Sequence, residues 1–257
     1  MAVSKLAKKY HDKVFPGEAL QFQSTDPEFA DFFTNFAFDE VINMPDLGGK
    51  EIDDRARFMA ILAALLGVQG LEEFKSMLTG AFNVGVTPYD MKEIVYQGTA
   101  YLGIGRVAPF LTAVNEFLIS KGVRLPLEDR SQTDSETRLE KGVQAQIDIF
   151  GDQMKDFWRS GPDESKHINR WLADNCFGDY YTRKGLTLAE REMLTFCYIA
   201  AQGGCDTQLT SHAAGNMQVG NDLLFLIKII SQILPYIGYP RSLNALACVN
   251  KAIEAMK

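Results

Sequence analysis

The residues best suited to chemistry in this chain are Cys205, Gln208 and His212, which fall within about two helical turns of one another. Gly203-Gly204 interrupts an apolar helical stretch that carries Glu192, Phe196 and Ile199, and a new helix is expected to open at Cys205-Asp206-Thr207-Gln208. Cys205 then sits at a helix N-terminus, where unsatisfied amides and the helix dipole favour a thiolate and the Asp206 carboxylate partly opposes it. Counting from 205, positions 208, 209 and 212 share one face, so thiol, amide and imidazole point the same way. A thiolate there is a nucleophile, and an imidazole is a general acid or base near neutral pH. The same residues also fit a structural role, with a small cysteine at a tight helix crossing and a hydrogen-bonded core histidine.

The elements that must position these groups come from a duplication. Shifting the sequence by 135 places Ser76 on Ser211, Gly80 on Gly215, Val84-Gly85 on Val219-Gly220, Tyr101 on Tyr236, Gly103 on Gly238 and Val114-Asn115 on Val249-Asn250. Upstream the shift becomes 139, pairing Phe38 with Phe177 and Leu47 with Leu186, which locates a four-residue insertion near Gly48–Lys50. Two copies are expected, residues 6–122 and 140–257, joined by a polar linker over 123–139 that holds Pro126. Where the second copy has Cys205, Gln208 and His212, the first has Gly70, Glu73 and Met77. One copy keeps reactive side chains and the other keeps shape; drift in both, with an accidental histidine, is the alternative.

Each copy reads as helical. Asp26-Pro27-Glu28 and Thr87-Pro88-Tyr89-Asp90 are helix starts, and Thr187 with Glu190 has capping-box spacing ahead of a helix to about Gln202. Phe29, Phe32, Phe33 and Phe36 share a face, as do Phe58, Ile61, Leu62, Leu65 and Leu66, and again Val107, Phe110, Leu111, Val114 and Leu118. Alternating strand patterns are absent, so the fold class expected is all-α, with about five to seven helices per copy.

Composition bounds the partners. With 257 residues, 46% hydrophobic and 23% charged, the chain is an ordinary globular one, and its net charge of -7 disfavours nucleic acid. The lysine-rich start lacks a signal peptide's apolar stretch. Phe58–Val68 is too short to span a bilayer, and Leu223–Tyr239 carries Lys228, Gln232 and Pro235, so both read as buried helices and no membrane partner is expected. Cys176, Cys197, Cys205 and Cys248 have no metal-ligand spacing and are expected to be reduced thiols in a cytoplasmic setting, Cys176 and Cys197 as inert core groups. His11 has no evident partner, and His167 reads as structural or surface. No metal cluster or phosphate loop is visible, and Gly103-Ile104-Gly105 lacks a preceding strand.

Three segments, FGDYYTRKGLTLAEREMLTF (177–196), GGCDTQLTSHAAGNMQVGN (203–221) and MLTGAFNVGVTPYDMKEIV (77–95), resemble the carboxymuconolactone decarboxylase family, which includes the alkylhydroperoxidase D-like proteins. The resemblance implies two tandem alkylhydroperoxidase D-like helical bundles forming a pseudo-dimer in one chain. It also implies a homo-oligomer, a trimer of such chains, and no organic cofactor. Peroxidase members carry a glutamate and then CxxCxxxH. Cys205 matches the first cysteine, Gln208 stands where the resolving one belongs, His212 matches the histidine, and Glu192 is the nearest acid. Decarboxylase members keep the histidine and an arginine-containing segment like Tyr181-Thr182-Arg183 through Arg191-Glu192.

Three activities follow as expectations. The first is a cofactor-independent acid–base enzyme acting on a small carboxylated or lactone-like substrate. In it His212 transfers the proton, Glu192 orients it, Cys205 and Gln208 line the pocket, and Arg183 pairs with a substrate carboxylate, while Arg191 is a helix-end surface residue. The second is a peroxiredoxin-type hydroperoxide reductase in which Cys205 forms a sulfenic acid. The third is a non-catalytic binding or assembly protein, whose pocket would be closed by side chains.

Overall fold

The computed structural model describes residues 2–256, so Lys257, the last residue of the expected second copy, lies outside them. Among the described residues the regular structure is entirely helical. Six helices precede residue 122: α1 (Lys5–Val14), α2 (Pro27–Asn35), α3 (Asp54–Val68), α4 (Leu71–Asn83), α5 (Pro88–Leu102) and α6 (Ile104–Ser120). Six follow residue 137: α7 (Arg138–Phe150), α8 (Lys166–Trp171), α9 (Leu188–Gln202), α10 (Asp206–Gln218), α11 (Leu223–Ile237) and α12 (Tyr239–Ala255). The pairs α4/α10, α5/α11 and α6/α12 begin and end 135 residues apart, the offset at which the sequence repeats. No described helix is long and apolar enough to cross a membrane.

Local signals explain the helix starts. Thr87 and Thr187 each accept a bond from the N3 amide, and Asp90 and Glu190 each accept one from the cap amide, closing two capping boxes. Arg55 then joins these two helix starts, with Nη1 2.5 Å from Glu190 Oε1 and Nη2 3.1 Å from Asp90 Oδ2. Pro27 opens α2 at N1, although Asp26 makes no side-chain cap bond.

The halves are not separate bodies. α3 and α9 pack along one another at the centre, α5 packs on α9, and α11 packs on α3, so each half lends a helix to the other. One continuous apolar core runs through both, and residues 58–67 of α3 are buried on every side. The exchange is nearly two-fold. Arg191 Nη1 donates to Gln97 Oε1 at 3.0 Å, and its counterpart Arg57 donates through Nε to Gln232 Oε1 at 2.8 Å. A second, smaller cluster, including Ile149, Cys176, Phe177 and Tyr181, joins α7 to the π-helical segment Leu172–Tyr181. A glycine on each side permits this close approach. A Cβ on Gly142 would collide with the Ala173 carbonyl, and one on Gly178 with the Arg138 carbonyl.

Two sequence readings, one apolar and one charged, are corrected here. Phe29 and Phe32 of α2 are half exposed, because the α2 segment packs through Ala30, Thr34 and Asn35 instead. Arg191 is fully buried rather than at the surface, since α5 covers that face of α9 and supplies its partners Glu93 and Gln97.

Candidate functional site

Glu192 is carried by α9 and His212 by α10, adjacent helices joined by a turn through Gly203 and Gly204. Both glycines adopt left-handed φ angles of +71° and +72°, which a side chain would resist. The turn places Cys205 as the N-cap residue of α10, as the sequence indicates. His212 Nδ1 lies 2.8 Å from Glu192 Oε2. Glu192 is 0% exposed and His212 8%. A carboxylate on Nδ1 holds the neutral ring in the Nδ1–H tautomer, leaving the Nε2 lone pair for whatever enters the cavity.

The rest of the site fixes that pair. Tyr181 donates its hydroxyl to Glu192 Oε1 at 2.8 Å, so each carboxylate oxygen has a partner. The Tyr181 oxygen in turn lies 2.6 Å from Thr195 Oγ1 and 2.8 Å from the Tyr101 hydroxyl. Cys176 Sγ is 3.7 Å from the Tyr101 oxygen. With one proton per group, a consistent chain of donors runs from Cys176 through Tyr101 and Tyr181 to the Glu192 carboxylate. Burial holds the Tyr101 and Tyr181 hydroxyls well above their usual pKa and pushes the Cys176 thiol up to about 12, so all three stay protonated. The imidazole is gripped edge-on by Tyr101 and Phe150, with ring centroids at 5.6 and 5.3 Å. Asn216, fully buried, donates to the backbone oxygens of Glu192 and His212 and ties α9 to α10.

A cavity of about 760 Å³ opens beside this pair. Cys205, Gln208 and His212 all line it, and Gln202 Nε2 donates to Cys205 Sγ at 3.3 Å. Glu192 stands behind the wall, reaching the cavity only through His212. Arg183 is elsewhere: its Nε donates to Glu93 Oε1 at 2.8 Å and its guanidinium lies over the Tyr96 ring. Cys176 keeps its expected place as a buried core thiol, and it also borders the cavity wall. His11 is buried against Phe15 and Phe38, whereas His167 is exposed on α8 beside Trp171.

Tyr101 is the residue that motif reading misses. It comes from α5 of the first half yet touches the histidine of the second, and the only sequence signal for it is its repetition as Tyr236. Tyr236 repays the exchange by reaching Met77, the counterpart of His212, with its hydroxyl 3.9 Å from Met77 Sδ. Around Met77 the corresponding cavity shrinks to about 220 Å³. No group of three or more His, Cys, Asp or Glu residues among those described is arranged to hold a metal.

Residues 167–251 match the model of the carboxymuconolactone decarboxylase family. No curated protein matches the chain. A protein from Burkholderia xenovorans LB400, provisionally named as a gamma-carboxymuconolactone decarboxylase subunit, has a crystal structure that matches this one with a TM-score of 0.55 and 15% identity, over 98% of this chain and 97% of that one. At that identity the likeness is one of fold, and it spans both halves. Residues 167–251, about a third of the chain, thus resemble the carboxymuconolactone decarboxylase family, and Glu192, Cys205, Gln208 and His212 all lie inside that segment.

Proposed function

We propose that this protein is a cofactor-independent acid–base enzyme acting on a small lactone-like substrate, with His212 as the proton-transfer residue and Glu192 as its orienting partner. The observation that carries the reading is the 2.8 Å contact between His212 Nδ1 and a fully buried, doubly bonded Glu192, beside an open cavity. In a carbonyl compound, Nε2 takes a proton from the carbon next to the carbonyl, the electron pair moves into the conjugated carbonyl, and the proton returns to carbon from the same nitrogen. Glu192 stabilises the imidazolium formed between those events. Cys205 and Gln208 shape the wall. A carboxylated substrate loses its expected anchor, because Arg183 is committed to Glu93. His212→Gln should lower turnover of a reactive lactone by about 10²- to 10⁴-fold, while Cys205→Ser should lower it by far less. Equal losses would reject the assignment.

A second reading rests on Cys205, which shares the cavity with His212 and accepts a hydrogen bond from Gln202. Its thiolate would attack a hydroperoxide, taking one oxygen as sulfenic acid and releasing the alcohol, with an external thiol completing the reduction. Dilute peroxide should then oxidise Cys205 ahead of the other three thiols in a mass-spectrometric digest, and uniform oxidation would remove this version. The open cavity speaks against a purely structural protein. The repeats at 6–122 and 140–257 are best taken as one folding body, and its assembly as a trimer is part of the same proposal.

A further inference from the structure

Gln146 lies on α7, is 0% exposed and forms part of the cavity wall, yet neither its Nε2 nor its Oε1 has a hydrogen-bond partner. Leaving buried polar atoms unmade is costly, and natural interiors rarely tolerate it. Gln97, equally buried nearby, bonds through both ends of its amide. The neighbours of Gln146 on α7, Ala145 and Ile149, are apolar and packed, so an aliphatic residue would fit the position at lower cost. An occupant of the cavity is what an amide held in this way would satisfy.

The remaining polar wall is of one kind. Among the described residues no Lys, Arg, Asp or Glu lines the cavity, and the polar groups beyond Cys205 and His212 are amides and hydroxyls such as Gln153, Gln202, Gln208 and Ser211. Burying a carboxylate against uncharged walls is expensive, whereas a neutral polar ring is accommodated. A primary amide offers one donor edge and one acceptor in a single plane. Its complement is a carbonyl acceptor beside a hydroxyl or N–H donor. A volume of about 760 Å³ is ample for a ring with a short apolar substituent.

We propose that Gln146 is a specificity-determining residue that reads a neutral ring ligand through a carbonyl and the hydroxyl next to it, a hydroxylactone rather than its ring-opened acid. The substrate class deepens the acid–base reading and rests on it for turnover, whereas the binding preference does not depend on it.

Titration of the full-length protein with three probes tests this: an alkyl-substituted α-hydroxy-γ-lactone, the same lactone without the hydroxyl, and the ring-opened hydroxy acid. The wild type should bind the hydroxylactone roughly tenfold or more tighter than either of the others. Gln146→Leu should lose that preference while its melting temperature stays equal or rises, because an unpartnered buried amide is removed. The idea is overturned if the acid binds as well as the hydroxylactone, if the hydroxylactone does not bind, or if Gln146→Leu keeps the preference. His212→Gln separates the two claims. It should still bind the hydroxylactone within about threefold of wild type while losing turnover. Unchanged turnover in that variant would sink the acid–base reading and leave the Gln146 preference standing.

Discussion

The His212 ring has little freedom to turn. Its Nδ1 is fixed by Glu192, its faces meet Tyr101 and Phe150, and Glu192 is itself fixed by Tyr181. Tyr181→Phe keeps the shape and removes one donor from the carboxylate, so turnover should fall by about tenfold and stability by about 1–3 kcal/mol, since Glu192 and Thr195 lose a buried partner; a variant as active as wild type would show the donor to be idle. The two cavity thiols should behave oppositely. Burial raises Cys176 from 9.0 to about 12. The folded protein therefore keeps that proton where the unfolded chain loses it, and its contribution to stability is full below pH 9 and declines from pH 9 to about 12. At a pH near 9, iodoacetamide should label the half-exposed Cys205 in the native protein and reach Cys176 only after unfolding in urea. Native labelling of both at similar rates would contradict the burial described for Cys176.

At the scale of elements, the cavity depends on α7 lying flat against the π-helical stretch 172–181, and on α5 crossing from the other half to cover α9. Gly142→Ala puts a methyl into the Ala173 carbonyl, which is backbone and yields poorly, so stability should fall by about 1–3 kcal/mol with a parallel loss of ligand binding. Glu93 holds the buried Arg191, 3.2 Å away, and also Arg183. Glu93→Ala strands a guanidinium in the core and should cost about 3–5 kcal/mol in urea unfolding. A loss below 1 kcal/mol would mean that Arg191 finds other partners or water. Much at this scale was legible in sequence, because capping is a local affair: Thr87 with Asp90 and Thr187 with Glu190 announce α5 and α9, and Gly203-Gly204 announces the turn before Cys205. What was not legible is what depends on the neighbouring element. Arg191 looks like a helix-end charge until α5 is laid over it. The phenylalanines of α2 share a face that the packing then leaves half bare.

The whole molecule shows why duplication and chemistry are linked here. Each half completes the other's site, with Tyr101 facing His212 and Tyr236 facing Met77, so the reactive half cannot shed its partner. His212 with Cys205 and Gln208 could be picked out from one half alone; Tyr101 could not, since contact across the pseudo-two-fold leaves no mark in spacing. Exposed apolar residues also recur at equivalent places, Phe29 with Ile168, Phe32 with Trp171, and Ile104 with Tyr239. Covering them is the natural use of the proposed trimer. Light scattering should give a mass about three times the 28.7 kDa of one chain, and a monomer would contradict that assembly.

The central claim, that the buried Glu192–His212 pair moves protons at carbon, is tested most directly by following deuterium uptake from heavy water next to the carbonyl of an α-hydroxy-γ-lactone. The wild type should catalyse the exchange, and His212→Gln should slow it by about 10²- to 10⁴-fold. Exchange at equal rates with the two proteins would contradict the account.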